Sequence, residues 1–172
     1  MPTEAEWFKA IDEQTRTIGP RKWPTPIGVQ LVEQALAEHP QSCRLWNRRG
    51  DLIQLLDEGS ASHSLTAARD SYERARSADP NDPESYESLG YFFDAVEARI
   101  EEAERMFRRA IDLGAGAGSW AGLARVLAEL GRRGEALTLL APETCPHANV
   151  QDVVNVRDEI EDGRWDPDQR AG

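Results

Sequence analysis

PESYESLGYFFDAVEARIEEAERMFRRAIDLGAGAGSWAGLARVLAELGRRGEALTLL, residues 83–140, decides the fold. Tyr86, Leu89, Gly90 and Phe93 stand at i, i+3, i+4 and i+7, so they share one helical face. Thirty-four residues after Gly90 comes Ala124, with Trp120, Leu123 and Leu127 in the same relative places. Forty residues before Gly90 comes Gly50, with Trp46 and Ile53 around it and Arg49 interrupting the apolar pattern. A second kind of stripe follows each of these: Ala68, Tyr72 and Ala75, then Ala103, Phe107 and Ala110, then Ala136 and Leu140. Gly and Ala sit where two helices approach closely, and the aromatics supply the buried area on the facing side. No single pair can bury its stripe alone, so neighbouring pairs must stack.

This alternation at a near-constant period resembles the tetratricopeptide repeat, with its W-x2-L-G-x2-Y helix, its A-x3-F helix and its closing proline over 34 residues. The Gly-to-Ala spacing is twelve in the last repeat (Ala124 to Ala136), thirteen in the middle one (Gly90 to Ala103) and eighteen in the first (Gly50 to Ala68). The long spacing contains an insertion, EGSASHS at 58–64; Pro80 matches the closing proline, and Ala115 stands in its place one repeat later. The resemblance covers residues 41–142. It implies an all-α, right-handed superhelical solenoid of stacked antiparallel helix pairs.

The expected organisation is a divergent helix pair over 1–40, three repeats over 41–147, a capping helix over 148–163 and a mobile tail over 164–172. Thr3 and Glu6 have the spacing of a capping box, and the first helix should stop before Gly19-Pro20. GPRKWPT at 19–25 reads as a loop, whose Trp23 either packs back on the first helices or stays exposed for binding. Thr25-Pro26 restarts a helix. Ser42 and Asp82 read as the N-caps of two repeats, with Pro83 at the first helical position. Asn149 reads as the cap of the terminal helix, whose Val150, Val153, Val154 and Ile160 cover the last apolar face. Trp165 in the tail is a candidate to fold back and dock.

Composition argues against several functions. The chain has 172 residues, 40% hydrophobic and 30% charged, as folded proteins do. It has no apolar run near the roughly 20 residues of a membrane span, and MPTEAEWFKA does not read as a signal peptide. Two cysteines, Cys43 and Cys145, give no disulfide framework, so a cytoplasmic protein is expected; the Arg-over-Lys bias suggests a GC-rich bacterium. A net charge of −11 argues against nucleic acid and anionic membranes as partners. The acidity serves either solubility or an acidic docking surface.

Catalytic signals are weak. GAGAGS at 114–119 lacks the Lys-Ser/Thr of a phosphate loop and reads as a joint between repeats. His39/Cys43 and Cys145/His147 lie at opposite ends of the expected solenoid, so no metal site is expected. No G-x-S-x-G or H-E-x-x-H occurs. Glu101, Glu102 and Glu104 pair at helical spacing with Arg105, Arg108 and Arg109. Neither enzyme activity nor a cofactor is expected.

The resemblance instead implies a groove lined by the first helix of each pair, where peptides or partner helices bind. One residue after each packing position faces that groove. The rule selects Asn47, Asp51 and Gln54, then Glu87, Tyr91 and Asp94, then Arg125, with Arg44 and Arg48 flanking the first group. An acidic middle with one aromatic suits a partner bearing Lys or Arg. Some members of the family clamp a chaperone's terminal carboxylate with Lys and Asn; Asp51 and Glu87 depart from that chemistry. The expected function is a protein–protein adaptor or scaffold, and the alternative is an acidic, immunity-type inhibitor of one partner enzyme.

Overall fold

The computed structural model describes residues 2–18, 21–56, 64–165 and 167, with backbone alone for 15–18 and 21–24. Two units are distinct, Met1–Pro80 and Asn81–Gly172. Among the described residues the chain is helical apart from one short hairpin, and consecutive helices pair.

In the first unit, α1 (Glu4–Glu13) pairs with α2 (Pro26–Glu38), and α3 (Cys43–Leu55) pairs with α4 (Leu65–Ala78); α2 also packs on α3. The Thr3–Glu6 capping box starts α1 as its spacing predicts. Between α1 and α2 the chain forms β1 (Thr15–Ile18) and β2 (Arg21–Pro24), antiparallel with Ile18 opposite Arg21. This corrects two expectations: the first helix ends at Glu13 rather than just before Gly19, and part of the loop expected at 19–25 is a strand. Thr15, Thr17 and Ile18 are β-branched, and that run favours a strand over a helix extension. The Trp23 side chain, residues 57–63 (which hold all of the 58–64 insertion except Ser64), residue 166 and residues 168–172 of the expected tail lie outside the described residues. Thr25 is the N-cap of α2 but makes no side-chain cap bond; its hydroxyl donates to the Gln14 carbonyl at 2.9 Å, tying α2 to the end of α1. Ser42 caps α3 by accepting from the Leu45 N–H.

In the second unit, α5 (Pro83–Ala95) pairs with α6 (Ile100–Asp112), and α7 (Ala117–Glu129) with α8 (Arg133–Leu139); α9 (Gln151–Glu161) packs on α7 and α8. Asp82 caps α5 as expected. Gly114, at φ +88°, turns the chain out of α6, a conformation that suits only glycine without strain. The residue that precedes α9 as its N-cap is Val150 rather than Asn149, and no side chain caps the helix there.

The two apolar stripes form the core. Ala68, Tyr72, Ala75, Ala103, Phe107, Ala110, Ala136 and Leu140 are all buried, as are Leu89, Phe93, Leu123 and Leu127. The glycines of the lead helices abut the aromatics of the second helices. A Cβ on Gly50 would stand 2.4 Å from the Tyr72 ring, and one on Gly90 would stand 2.8 Å from the Phe107 ring. Gly122 on α7 meets the same Phe107 ring, where a Cβ would stand at 2.5 Å. Phe107 therefore joins two helix pairs at once. Arg49, the interruption in the stripe, occupies the place held by buried Leu89 and Leu123 in later repeats. It is 18% exposed and donates to Glu33 on α2 and to Ser71 and the Ala67 carbonyl on α4. A cleft of about 400 Å³ opens beside it, also lined by Trp46 and Arg74.

Candidate functional site

In the second unit, four of the expected groove residues come together between α5 and α7. Glu87 and Tyr91, one turn apart on α5, reach the first turn of α7. Ser119 donates its hydroxyl to the Glu87 carboxylate, and the Tyr91 hydroxyl donates to the Gly118 carbonyl at 2.8 Å. Gly118 makes room for this: a Cβ there would stand 2.8 Å from a Glu87 oxygen. The position also suits charge, because a carboxylate at a helix N-terminus meets the positive end of the peptide dipoles.

Asp94, one turn past Tyr91, forms an ion pair with Arg125 at 3.7 Å. Their side chains are 11% and 24% exposed, so the pair is largely shielded from water. The Arg125 guanidinium carbon also lies over the Tyr91 ring, 5.6 Å from its centroid, and over the Trp165 ring at 5.4 Å. Both are cation–π contacts. Tyr91 packs edge-on against Phe107, which links this face to the core. Burial pushes the Tyr91 hydroxyl above its ordinary range, the Glu87 charge adds to this, and Arg125 opposes it. Asp152, exposed at the start of α9, contributes to the same field.

In the first unit, Asp51 and Gln54 on α3 share the hydroxyl of Tyr72, which donates at 2.9 and 3.1 Å. Burial, and then the Asp51 charge, hold that hydroxyl protonated far above the usual tyrosine range. Asn47 is 1% exposed, inside α3's packed side. Arg48 pairs with Asp12, and Arg44 lies over Phe8 and pairs with Glu4.

Helical spacing alone puts Glu87, Tyr91, Asp94 and Arg125 on neighbouring faces, and the structure brings the four together. Spacing did not supply the partners of their side chains. Gly118, Ser119 and Asp152 were absent from the expected set. The usable signal is the repeat offset: Glu87 meets Ser119 at 32 residues, and Asp94 meets Arg125 at 31. Trp165, expected only to dock somewhere, covers Arg125. Among the described residues no cluster of His, Cys, Asp and Glu could hold a metal ion, and no helix is long and apolar enough to cross a membrane.

No family model matches the chain, and no curated protein matches it by sequence. Solved structures do match. One is the crystal structure of TTC0263, a thermophilic TPR protein in Thermus thermophilus, with a TM-score of 0.62. The match covers 80% of this chain and 71% of that one, at 16% identity. The fold is the tetratricopeptide-repeat fold. Its helix pairs here are α3/α4, α5/α6 and α7/α8, whose first helices carry Gly50, Gly90 and Ala124. At 16% identity the likeness is one of fold, and no individual residue is carried across.

Proposed function

We propose that this chain is a protein-interaction module. It binds an extended peptide or a partner segment on the face of the second unit made by α5, α7 and α9, where α9 serves as the cap. The observation that supports this best is the tie between α5 and α7: Glu87 to Ser119, Tyr91 to Gly118 and Asp94 to Arg125. A face whose side chains already hold one another loses little rotamer freedom on binding, which lowers the ordering cost of capture.

The preferred partner carries Lys or Arg. The chain's net charge is −11, and the carboxylates of Asp94 and Glu87 lie on this face, with Asp152 at its α9 edge. Complementary charge speeds encounter and rejects acidic competitors. In the first unit Asp51, which with Gln54 accepts from the Tyr72 hydroxyl, adds one further carboxylate.

Tyr91 and Glu87 are poor positions for a test, because both hold α7 in place. Asp152 is exposed, and Arg125 keeps an accessible edge. Wild-type chain and the Asp152→Lys and Arg125→Gln variants should be compared in quantitative affinity capture from the native lysate, with circular dichroism to verify folding. A partner that follows wild type and drops at least tenfold with either variant supports the face. A partner retained equally by all three refutes it. Tight one-to-one capture of a folded enzyme, with inhibition, would select the inhibitor reading over the adaptor.

A further inference from the structure

The turn that follows α9 makes its own contact with this face. Gly163, at φ +78°, reverses the chain. The Gly163 N–H donates to the Ile160 carbonyl, and the Arg164 N–H to the Glu159 carbonyl, each at 3.0 Å. This pair of bonds is the Schellman stop. It sends Trp165 and Pro167 back to the C-terminal end of α7. There the indole lines one wall of a small gap, with Ala128, Gly131, Arg133 and Ile160 around the rest, and this is the seat. The Arg125 guanidinium lies over the indole ring, and the indole Nε1 donates to Glu159 at 3.2 Å.

Three features set this seat apart from ordinary packing. First, Arg125 lies over both Trp165 and Tyr91, so the seat is continuous with the α5–α7 face. Second, a gap of about 30 Å³ remains beside the indole and Pro167, whereas a core interior would be filled. Third, the turn's hydrogen bonds go to α9: Trp165 and Arg164 both use Glu159, six and five residues back. Among the described residues only ring and apolar contacts hold Trp165 on α7, so it can leave α7 without breaking a hydrogen bond to it.

We propose that the Trp165 seat is a recognition pocket for a tryptophan side chain of the partner, and that the chain's own Trp165 is its resident occupant. The resident shows what the pocket takes: a flat ring under a guanidinium, an N–H facing a carboxylate, and an apolar floor. The proposal rests on the reading of the α5–α7–α9 face as the binding surface. Because the closed state blocks the seat, apparent affinity falls by the fraction of molecules that are open. A partner therefore needs both a tryptophan and enough contact with the rest of the face to displace the resident.

The test uses the full chain and a defined probe, a fluorescein-labelled peptide with this chain's own residues 163–172. The control is the same peptide with alanine in place of the tryptophan. In anisotropy titrations the Trp165→Ala variant should bind the probe, wild type should bind it at least tenfold more weakly, and neither should bind the control. Equal binding of the probe by wild type and variant, or binding by neither, overturns the proposal. A second measurement does not need that variant to fold. In wild type labelled with 5-fluorotryptophan, the Trp165 resonance, assigned with Trp165→Phe, should move toward its solvent-exposed position as excess probe is added. A resonance that does not move overturns the proposal. A concentration-dependent dimer in analytical ultracentrifugation, lost in Trp165→Phe or Trp165→Ala, would overturn it by giving the seat to a second copy. Arg125 belongs to both the face and the seat, but Asp152 lies outside the seat, so a failure of the peptide experiments leaves the capture experiment on Asp152 standing and the two readings fail separately.

Discussion

Gly90→Ala isolates the contact on which the fold depends. In an ordinary helix interior the change stabilises, because alanine has the higher helix propensity by about 0.8–1.0 kcal/mol. At Gly90 the new methyl would stand 2.8–2.9 Å from three atoms of the Phe107 ring. Overpacking of this kind costs typically about 1–3 kcal/mol. The ring cannot retreat toward α7, because Gly122 already confines it from that side: a Cβ there would be at 2.5 Å. The cost therefore belongs at the upper end of that range, and the net destabilisation should be about 1–2 kcal/mol. Gly134→Ala on α8 is the matched control. Nothing lies within 4 Å of its Cβ position, so it should stabilise by up to about 1 kcal/mol. Both variants should be measured by urea unfolding followed by far-UV circular dichroism, together with Phe107→Leu and the Gly90→Ala/Phe107→Leu double variant. A smaller side chain at 107 should relieve the clash, which gives a favourable coupling of about 1 kcal/mol or more in the double-mutant cycle. If Gly90→Ala stabilises as Gly134→Ala does, or if the cycle shows no coupling, the close-approach reasoning is wrong.

Arg49→Leu should raise stability in urea and Arg49→Ala should lower it, each by about 1 kcal/mol, because leucine restores the apolar seam while alanine loses the arginine stem's packing; a fall of equal size in both would contradict this. Tyr72→Phe should cost about 1.5 kcal/mol at neutral pH, the worth of a hydrogen bond to a charged acceptor. It should also flatten the alkaline limb of the stability curve. The Tyr72 proton is retained in the folded state and lost in the unfolded state near pH 10.0, so its contribution is present in full below that pH and declines as pH rises above it. An unchanged alkaline limb would show that Tyr72 titrates normally. In native protein, Ellman's reagent should modify half-buried Cys43 well before Cys145, which is buried and whose thiol burial pushes up; equal rates would contradict the packing of the loop around Cys145.

The fold was legible because its signals are local and repeated. The Gly50, Gly90 and Ala124 register, the aromatic at the matching place on the next helix, and the caps at Thr3, Ser42 and Asp82 all lie within one or two turns of what they determine. Two readings went astray for physical reasons. TRTI at 15–18 falls within the end expected of the first helix, but its β-branched residues pair with 21–24 as a strand. Asn149 has the chemistry of a cap, but the helix starts one residue later, and the backbone there takes no side-chain acceptor. The geometry of the candidate site was half legible. Helical spacing places Glu87, Tyr91, Asp94 and Arg125 on one face. It does not reveal that Ser119 and Gly118 already occupy the polar ends of Glu87 and Tyr91, since those contacts span about one repeat. Arg125's aromatic neighbour at 165 lay beyond any periodic rule, because it depends on a Schellman reversal after the last helix.

The glycine–aromatic contacts also explain how the repeats vary. Where the second helix presents a ring, the lead helix must present glycine: Gly50 faces Tyr72, and Gly90 faces Phe107. Where the second helix is followed by Leu140 instead, the lead helix has Ala124 at the same register, and both are fully buried. Side-chain volume thus moves from one helix of the pair to the other. That exchange matters for the second unit's exposed face. With Phe107 confined by Gly90 and Gly122, α5 and α7 cannot shift relative to each other without opening the core, and their polar ties across Gly118, Ser119 and Arg125 are fixed with them. A partner that docks as proposed therefore meets a rigid α5–α7 surface. Any adjustment on binding must come from its edges, which are the exposed start of α9 at Asp152 and the turn that carries Trp165.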